Sequence, residues 1–321
     1  MKTVLITGAT GFVGNMLSSR LLEGSWIPRG AIRSDADMER LPRGMEAVSV
    51  GSIGPGTDWS KALEGVDTVV HLAAAVPGTG EDADGKDIFH DVNVLGSKIL
   101  AETAASYGVR RIIFLSSIEV NGSVSGDKPF TEEDRPNPQT LYGVSKMEAE
   151  GELMGIADAT GLQVVIIRTP FIYGPGKLGN LMNLIKSLVN RRLPLPLGSI
   201  ANRRSFVYIE NLLDAIIFCC DSEKAAGNIF FVSDGEAVST PELVMMMAAG
   251  LRVKPRLISF PVNLLKIVGK AVGRGSAIRL LTDSYSVDSS KIQQVVGWKN
   301  PYSIQEGISA SLNSSANFVE G

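Results

Sequence analysis

The sequence predicts an α/β protein: a doubly wound parallel sheet with helices on both faces, followed by a smaller C-terminal α+β region. Short β-branched runs alternate with helical patterns through residues 1–170, as they do in stacked βαβ units. The runs are apolar throughout, which is typical of strands covered on both faces. After Arg168, prolines and glycines interrupt the alternation, so a second and less regular region is expected there.

The strands of the sheet are predicted where β-branched and aliphatic residues cluster between turns. In chain order they are Thr3–Thr7, Ala31–Ser34, Ala47–Val50, Thr68–Leu72, Arg111–Ser116 and Gln163–Arg168. Helical periodicity marks Val13–Leu22 and Val94–Ser106, and Gly108 follows the second helix where a capping glycine is expected. These helices are therefore predicted to connect consecutive parallel strands.

The region after Arg168 contains shorter elements. Its prolines predict an extended connector over Leu193–Gly198, because a residue that precedes proline avoids the helical conformation. Thr240 is predicted as the N-cap of a helix with Pro241 at its first position. The other predicted elements are the helices Leu181–Val189 and Leu212–Cys220 and the strands Ser205–Ile209 and Asn228–Ser233. The tail, residues 311–321, is predicted to be weakly ordered.

Composition argues against several classes of function. The formal net charge of -3 disfavours nucleic-acid binding, for which a basic face is usual. Cys219 and Cys220 are adjacent and show no metal-ligand spacing, so we expect buried thiols in a reducing cytoplasm and no metal. No stretch is long enough to insert across a membrane. The apolar segment Phe260–Val272 contains two lysines and is interpreted as an amphipathic helix that faces the core, with a helix that binds a membrane surface as the alternative.

A glycine-rich turn follows the first strand and opens the first helix. The spacing of its glycines allows a tight turn, close backbone approach to a pyrophosphate and close packing of the helix on the strand. The helix N-terminus then offers free N–H groups to the phosphates. We therefore predict a Rossmann-type dinucleotide site formed by Gly8, Thr10, Gly11, Phe12, Val13 and Gly14.

Arg33 and Ser34 end the second predicted strand, where an acidic residue would bind the ribose 2′-hydroxyl of NAD. An arginine there can instead receive a 2′-phosphate. These two residues are therefore predicted to bind the cofactor, and NADP(H) is favoured over NAD(H). The alternatives, in which Arg33 stacks on the adenine or faces solvent, stay open.

Tyr142 and Lys146 are four residues apart and share one face of a predicted helix. A tyrosine is a weak base at neutral pH, but a nearby ammonium group and a positive nicotinamide ring would both lower its pKa. Ser116 and Ser117 end a predicted strand, and ligands of such sheets bind at the carboxyl ends of the strands. A serine hydroxyl is thus expected to hold the substrate oxygen while Tyr142 transfers a proton.

Together these motifs resemble the extended short-chain dehydrogenase/reductase superfamily, over roughly residues 1–300. Thr7–Gly14 matches its TGxxGxxG motif, and Tyr142–Lys146 matches its YxxxK motif. The resemblance implies a catalytic serine, tyrosine and lysine, and alignment on Val120 and Gly122 selects Ser117 over Ser116. It further implies cofactor contacts from Tyr142, Lys146, Leu72, Ala73, Ala74 and Asn93.

The second half resembles bacterial nucleotide-sugar 4-epimerases and 4-keto-reductases of polysaccharide biosynthesis. Asn180 and Leu181 match a segment that binds the substrate diphosphate, and Arg204 aligns with an arginine that binds the same group. Arg279 is a further candidate, and a surface charge cluster at Arg203 and Arg204 is the alternative.

This resemblance implies a UDP-linked sugar substrate and a homodimer formed around the tyrosine helix. Residues 1–170, joined by 205–232, are predicted to bind the dinucleotide, and residues 171–204 and 233–310 to bind the substrate.

Relatives of this kind act at carbon 4 of the sugar, and two reactions need the same protein residues. Arg33, and Ser52 where an acidic residue often meets the adenine, favour an exchanging NADP(H). The first hypothesis is therefore reduction of a UDP-4-keto-6-deoxy-N-acetylhexosamine. The alternative is a UDP-N-acetylhexosamine or UDP-hexose 4-epimerase. A steroid- or flavonoid-type ketone reductase would lack Asn180 and Arg204, and a non-catalytic nucleotide sensor would lack Tyr142 or Lys146.

Overall fold

A computed structural model describes residues 1–78 and 88–314, and it confirms the α/β class with a parallel central sheet. Seven strands form the sheet: β1 (Lys2–Thr7), β2 (Trp26–Ile32), β3 (Glu46–Ser49), β4 (Val66–His71), β5 (Arg111–Ser117), β6 (Gln163–Thr169) and β10 (Ile229–Phe231). Short strands outside it are β7 (Phe171–Tyr173), β8 (Pro194–Leu195), β9 (Phe206–Tyr208) and β11 (Arg256–Leu257).

Helices cover both faces of this sheet and build the second region. They are α1 (Phe12–Leu22), α2 (Ser60–Leu63), α3 (Gly96–Ser106), α4 (Leu141–Thr160), α5 (Gly179–Asn190), α6 (Ile209–Asp221), α7 (Thr240–Gly250), α8 (Val262–Ala271), α9 (Gly275–Thr282), α10 (Ser290–Val296) and α11 (Ile304–Ser314). Adjacent residues of β1 divide the core: Val4 and Ile6 pack with Leu17 of α1 on one face, and Leu5 packs with Leu100 of α3 on the other. Both layers are fully buried, as a doubly wound sheet requires.

The order of the strands creates a crevice beside β1. The sheet runs β10-β6-β5-β4-β1-β2-β3, with every neighbouring pair parallel. The chain proceeds from β1 to β2 on one side and continues at β4 on the other, so the connections that leave β1 and β4 diverge. Ligands of open α/β sheets bind at such a point, at the carboxyl ends of the strands.

Several boundaries differ from the sequence-based predictions. β2 begins at Trp26, five residues before the predicted start, and pairs with β1 along its length. The prediction started too late because Pro28 and Gly30 are unusual in strands. Ser239, and not Thr240, caps α7, since its side chain accepts from the backbone of Glu242. Helix α11 continues through residue 314 with Leu312 buried, so the prediction of a weakly ordered tail is wrong for residues 311–314, and residues 315–321 lie outside the described residues.

The segment 205–232 returns to the sheet only in part. Helix α6 belongs to the core cluster that includes β1, and β10 extends the sheet next to β6. β9, however, pairs with β7 in a separate two-stranded sheet. Both cysteines are buried free thiols of α6, and burial raises the pKa of Cys219 to about 12.

Helix α8 occupies most of the segment predicted to face the core, but only Leu265 and Gly269 of its ten residues are buried. The prediction that this helix faces the core was therefore correct for one side of it alone. Within residues 1–78 and 88–314, no helix combines the length and the hydrophobicity needed to cross a bilayer.

Candidate active site

The glycine turn lies at the crevice between β1 and β4. Gly8 has a φ of +67°, and a Cβ at this position would lie 2.9 Å from the backbone nitrogen of Ala73. A Cβ at Gly14 would overlap the carbonyl oxygen of Gly8, so the helix can approach the turn this closely only with glycine. The resulting cradle of bare backbone at the start of α1 fits the pyrophosphate of a dinucleotide.

Thr7 and His71 join the ends of β1 and β4. The Thr7 hydroxyl accepts from the backbone nitrogens of Leu72 and Ala73, at 3.1 Å each, and lies 2.6 Å from His71 Nδ1. His71 Nε2 lies 2.9 Å from Ser97 Oγ, whose own hydrogen goes to a backbone carbonyl. These bonds fit one neutral tautomer, with the proton on Nε2. Burial and the nearby Lys146 lower the pKa of His71 to about 3, so the ring stays neutral.

Asn93, predicted to contact the cofactor, uses its amide within the protein. Its side chain is fully buried in the π-helical turn His90–Leu95, accepts from the backbone of Ala75 and donates to Ala75 and Ser145. Ser145 in turn donates to the carbonyl of Tyr142. Asn93 thus ties the segment after β4 to helix α4, and a direct cofactor contact stays a prediction.

Arg33 and Ser34 lie directly after β2, and both are exposed. Ser34 begins a short helical turn through a capping box with Asp37. Arg40, at the end of that turn, donates to the carbonyl of Thr10 in the glycine turn at 3.4 Å and pairs with Asp37. Sequence reasoning missed Arg40, because nothing in the pattern brings residue 40 back to the glycine turn.

Tyr142 and Lys146 lie on the first turns of α4 as predicted from their spacing, with Thr140 as the N-cap. Lys146 is buried, and its Nζ lies 3.9 Å from the centre of the Phe114 ring. Burial lowers the pKa of Lys146 to about 7, opposed by the charge of Glu150. Burial and the Glu119 carboxylate raise the pKa of Tyr142 to about 12. In the chain without cofactor, desolvation therefore dominates the pKa of Tyr142, and the expected lowering by a bound nicotinamide stays a prediction.

The two serines at the end of β5 have different surroundings. Ser116 is buried and donates to Glu150 at 2.5 Å. Ser117 is half-buried and accepts from the backbone of Glu119, and its hydroxyl hydrogen has no acceptor among the described residues. Successive residues of a strand face opposite sides, so only one of the pair can face the crevice. This geometry favours Ser117, whose catalytic role stays a prediction.

A buried ion pair lies beneath the proton-transfer residues. Arg168, on β6, binds both carboxylate oxygens of Glu150, at 3.0 and 2.5 Å, and donates to Asn121 at 3.0 Å. Glu150 also accepts from Ser116, so every side chain of this group has a partner. The pair joins β6 to α4 one helical turn after Lys146 and fixes the helix on the sheet. A lone Glu or Arg in a sequence gives no signal of such a pair.

Tyr285 approaches the site from the second region, and sequence reasoning missed it. Glu119 lies in the short helical turn after β5. The hydroxyl of Tyr285 is buried and has no hydrogen-bond partner within the described part of the chain. Burial, with smaller effects from Glu119 and Tyr142, raises the pKa of Tyr285. A buried hydroxyl without a partner near Tyr142 is available to a ligand.

The predicted substrate residues are brought together only in part. Arg204 is partly buried, donates to the carbonyl of Asp283 at 3.0 Å, and has its guanidinium 5.8 Å from the centre of the Tyr285 ring. Asn180 is exposed in the first turn of α5, while the Leu181 side chain packs in the core and leaves only backbone for a ligand. The Arg279 side chain is exposed and makes no ion pair within residues 1–78 and 88–314.

Several known proteins that resemble this chain are epimerases of sugars linked to a diphosphate. The sequence is 39% identical over 310 residues to a UDP-glucose 4-epimerase of Vibrio cholerae, and the aligned region covers 95% of this chain and 93% of that protein. It is 28% identical over 324 residues to the N-acetyl-alpha-D-glucosaminyl-diphospho-ditrans,octacis-undecaprenol 4-epimerase of Escherichia coli O157:H7, over 96% of this chain and 94% of that protein.

The fold is similar to the crystal structure of UDP-N-acetylglucosamine 4-epimerase from Bacillus cereus, with a TM-score of 0.77 and 20% identity over 100% of both chains. The sequence model described as the NAD dependent epimerase/dehydratase family matches residues 4–232. The chain therefore belongs to the NAD-dependent epimerase/dehydratase family, a family of extended short-chain dehydrogenases/reductases.

Proposed function

We propose that this protein is a 4-epimerase of a diphosphate-linked hexose, acting on UDP-glucose or UDP-galactose with a retained NAD. The observation that carries the proposal is 39% identity, over nearly the whole of both chains, to a protein named UDP-glucose 4-epimerase. The names of both curated relatives describe inversion at carbon 4 of a sugar attached through a diphosphate. This reverses the order of the two sequence-based hypotheses, in which the reductase came first.

The substrate is held from the second region. Arg204 presents a planar guanidinium that suits two oxygens of a diphosphate, and its desolvated position strengthens that interaction. The first turn of α5 adds backbone N–H groups and the exposed Asn180. Tyr285 has its ring beside Arg204 and interacts electrostatically with Tyr142, so its unpartnered hydroxyl is expected to meet the hexose.

Proton transfer at the 4-hydroxyl is assigned to Tyr142. A bound NAD would accept the hydride of carbon 4 and return it to the other face of the ketone. Ser117 donates its free hydrogen to the 4-oxygen and holds it near the phenol. Lys146, desolvated beside Phe114, supplies a positive charge whenever it is protonated, and this favours the phenolate form of Tyr142. Tyr142 takes the hydroxyl proton when carbon 4 is oxidised and returns it when carbon 4 is reduced.

The test is an NMR assay of the purified protein with UDP-glucose and no added cofactor. The proposal expects UDP-galactose to accumulate to an equilibrium mixture, because oxidation and reduction cancel within one site. A parallel sample with UDP-N-acetylglucosamine measures the preference for the 2-substituent. Absence of epimer from both substrates, in the presence and absence of added NAD, would reject the proposal.

A 4-keto-reductase that uses NADP(H) is the second candidate, and the exposed Arg33 at the end of β2 is the observation that favours it. Its test offers NADPH and a UDP-4-keto-6-deoxy-N-acetylhexosamine and follows the loss of NADPH absorbance. Stoichiometric consumption would favour the reductase. An Arg33→Ala variant should then bind NADPH about tenfold more weakly and NADH equally well, since one phosphate contact is lost.

The homodimer around α4 belongs to this proposal as a prediction from the resemblance. The outer surface of α4 has Gly151 and Gly155 with no side chain nearby, so a partner helix can approach closely. Sedimentation velocity of the purified chain measures the oligomeric state directly, and a monomer at micromolar concentration would contradict it.

A further inference from the structure

The segment between α7 and the end of α9 has a charge opposite in sign to the rest of the chain. Between Glu242 and Asp283 the sequence contains no acidic residue, although the whole chain has a net charge of -3. The same stretch has seven basic residues, all exposed: Arg252, Lys254, Arg256, Lys266, Lys270, Arg274 and Arg279. Lys266 pairs with Asp283 at 3.2 Å, and the other six form no ion pair among the described residues.

An apolar stripe runs along the middle of this basic segment. Leu264, Ile267 and Val268 of α8 are 45%, 65% and 47% exposed, and Val272, just beyond the helix, is 63% exposed. Their spacing of three, four and eight residues places them on one side of the helix. The buried residues of the helix, Leu265 and Gly269, belong to a different side of it. The stripe is therefore not required for the core.

The lysines of α8 lie beside the stripe. Lys266 and Lys270 are one turn apart, so they form a row between the buried side of α8 and the exposed apolar side. The stripe, Lys266, Lys270 and the basic residues that follow them, Arg274 and Arg279, form what we call the α8 face. An apolar row flanked by long basic side chains is the arrangement of helices that lie in the headgroup layer of a bilayer.

We propose that the α8 face docks this protein on the surface of an anionic bilayer. Helix α8 would lie parallel to the surface, with the apolar side chains among the upper acyl groups and the basic side chains on lipid phosphates. A second copy of the chain is a poor occupant, because a two-fold contact would place the basic side chains of one copy against those of the other. Such docking is peripheral, so it needs no helix that spans the bilayer.

The α8 face is connected to the substrate side of the site. Lys266 pairs with the carboxylate of Asp283, and the backbone carbonyl of Asp283 accepts from Arg204. Docking would therefore hold the region assigned to the substrate diphosphate close to the lipid headgroups. The proposal does not depend on the proposed function, because binding to vesicles is measured without substrate.

The experiment is co-sedimentation of the full chain with phosphatidylglycerol/phosphatidylethanolamine vesicles and with phosphatidylcholine vesicles. We expect binding to the anionic vesicles that weakens as salt is raised, and at least tenfold weaker binding to phosphatidylcholine. The Lys270→Glu/Arg274→Glu variant should bind anionic vesicles about 30-fold more weakly, from roughly 1 kcal/mol for each basic residue removed from the surface. The matched control Lys224→Glu/Lys61→Glu reverses two exposed lysines elsewhere and should bind like the wild type.

The apolar contribution is tested with Ile267→Ser/Val272→Ser, which changes two side chains that are mostly in water and should leave the thermal unfolding midpoint unchanged. Weaker vesicle binding by this variant, with unchanged turnover of a soluble UDP-sugar, supports the proposal. No sedimentation of the wild type with anionic vesicles at low salt overturns it. A variant that binds vesicles normally but changes the oligomeric state also overturns it, since the face would then join copies of the chain.

Discussion

Two groups of polar side chains lie at the carboxyl end of the same sheet, and they differ in whether their hydrogen bonds are completed within the chain. In the first group, Asn93, Ser116 and the Glu150–Arg168 pair bond to one another or to backbone. In the second group, Ser117, Tyr142, Lys146 and Tyr285 keep donors without acceptors in the described part of the chain. Because buried polar groups are normally satisfied, the first group holds the strand ends together and the second is available to ligands.

The largest expected effect comes from the second group. Tyr142→Phe removes the hydroxyl that carries the proton and leaves the ring in place, so we expect turnover to fall on the order of 10³-fold. Cofactor affinity, measured by fluorescence titration, should change less than threefold. Turnover within tenfold of the wild type would show that another group carries the proton.

The first group should affect stability instead. Arg168→Met leaves the Glu150 carboxylate buried without its partner, and we expect the free energy of unfolding to fall by about 3–5 kcal/mol. The double variant Glu150→Met/Arg168→Met should recover much of this loss, because neither charge is then buried. Urea denaturation measures all three proteins. Equal stability of the single variant and the wild type would mean that the pair does not hold α4 on the sheet.

The pH dependence of stability distinguishes the two groups. Because the pKa of Lys146 is lowered to about 7, the folded chain loses a proton there that the unfolded chain keeps to about 10.5. The free energy of unfolding should therefore rise with pH between these values, by about 1.4 kcal/mol per pH unit from this residue. Lys146→Met should lack this rise. Parallel pH profiles for the two proteins would contradict the buried position of the ammonium group.

The smallest effect is expected at the start of α4, where the two groups meet. Thr140 accepts from the backbone of Gly143 and donates to Glu119 at 2.6 Å. Thr140→Val removes both bonds, so we expect a loss of about 1 kcal/mol of stability. Thr140→Ser is the matched control and should stay near the wild type. A loss in the valine variant above 3 kcal/mol would mean that the cap has a larger role.

The sequence predicted the parallel sheet and the glycine turn well because both depend on local patterns. Apolar runs of strand length predict buried strands, and glycines at fixed spacing predict the tight turn that only glycine can form. Lys146 was likewise placed on the face of Tyr142 by the helical repeat alone. β2 was misplaced because Pro28 and Gly30 are poor strand residues, and only pairing with β1 fixes its start.

The remaining parts of the site depend on contacts between distant residues. Tyr285 reaches the site from a part of the chain far from Tyr142, and Arg40 returns to Thr10 over thirty positions. The raised pKa of Tyr142 arises from burial, and burial cannot be predicted from a sequence motif. The sequence favoured a core-facing α8 over a membrane-facing one, but an apolar stretch with two lysines has the same pattern whether the core or a bilayer covers it.

The most direct test of the distinction between the two groups compares Ser117→Ala with Ser116→Ala, two identical changes at adjacent positions. We expect Ser117→Ala to lower kcat about 100-fold, with the free energy of unfolding within 0.5 kcal/mol of the wild type. Ser116→Ala should lower that free energy by roughly 1–3 kcal/mol and change kcat less than threefold, because it removes a buried donor from Glu150. The opposite pattern, with turnover lost in Ser116→Ala and retained in Ser117→Ala, would contradict the account.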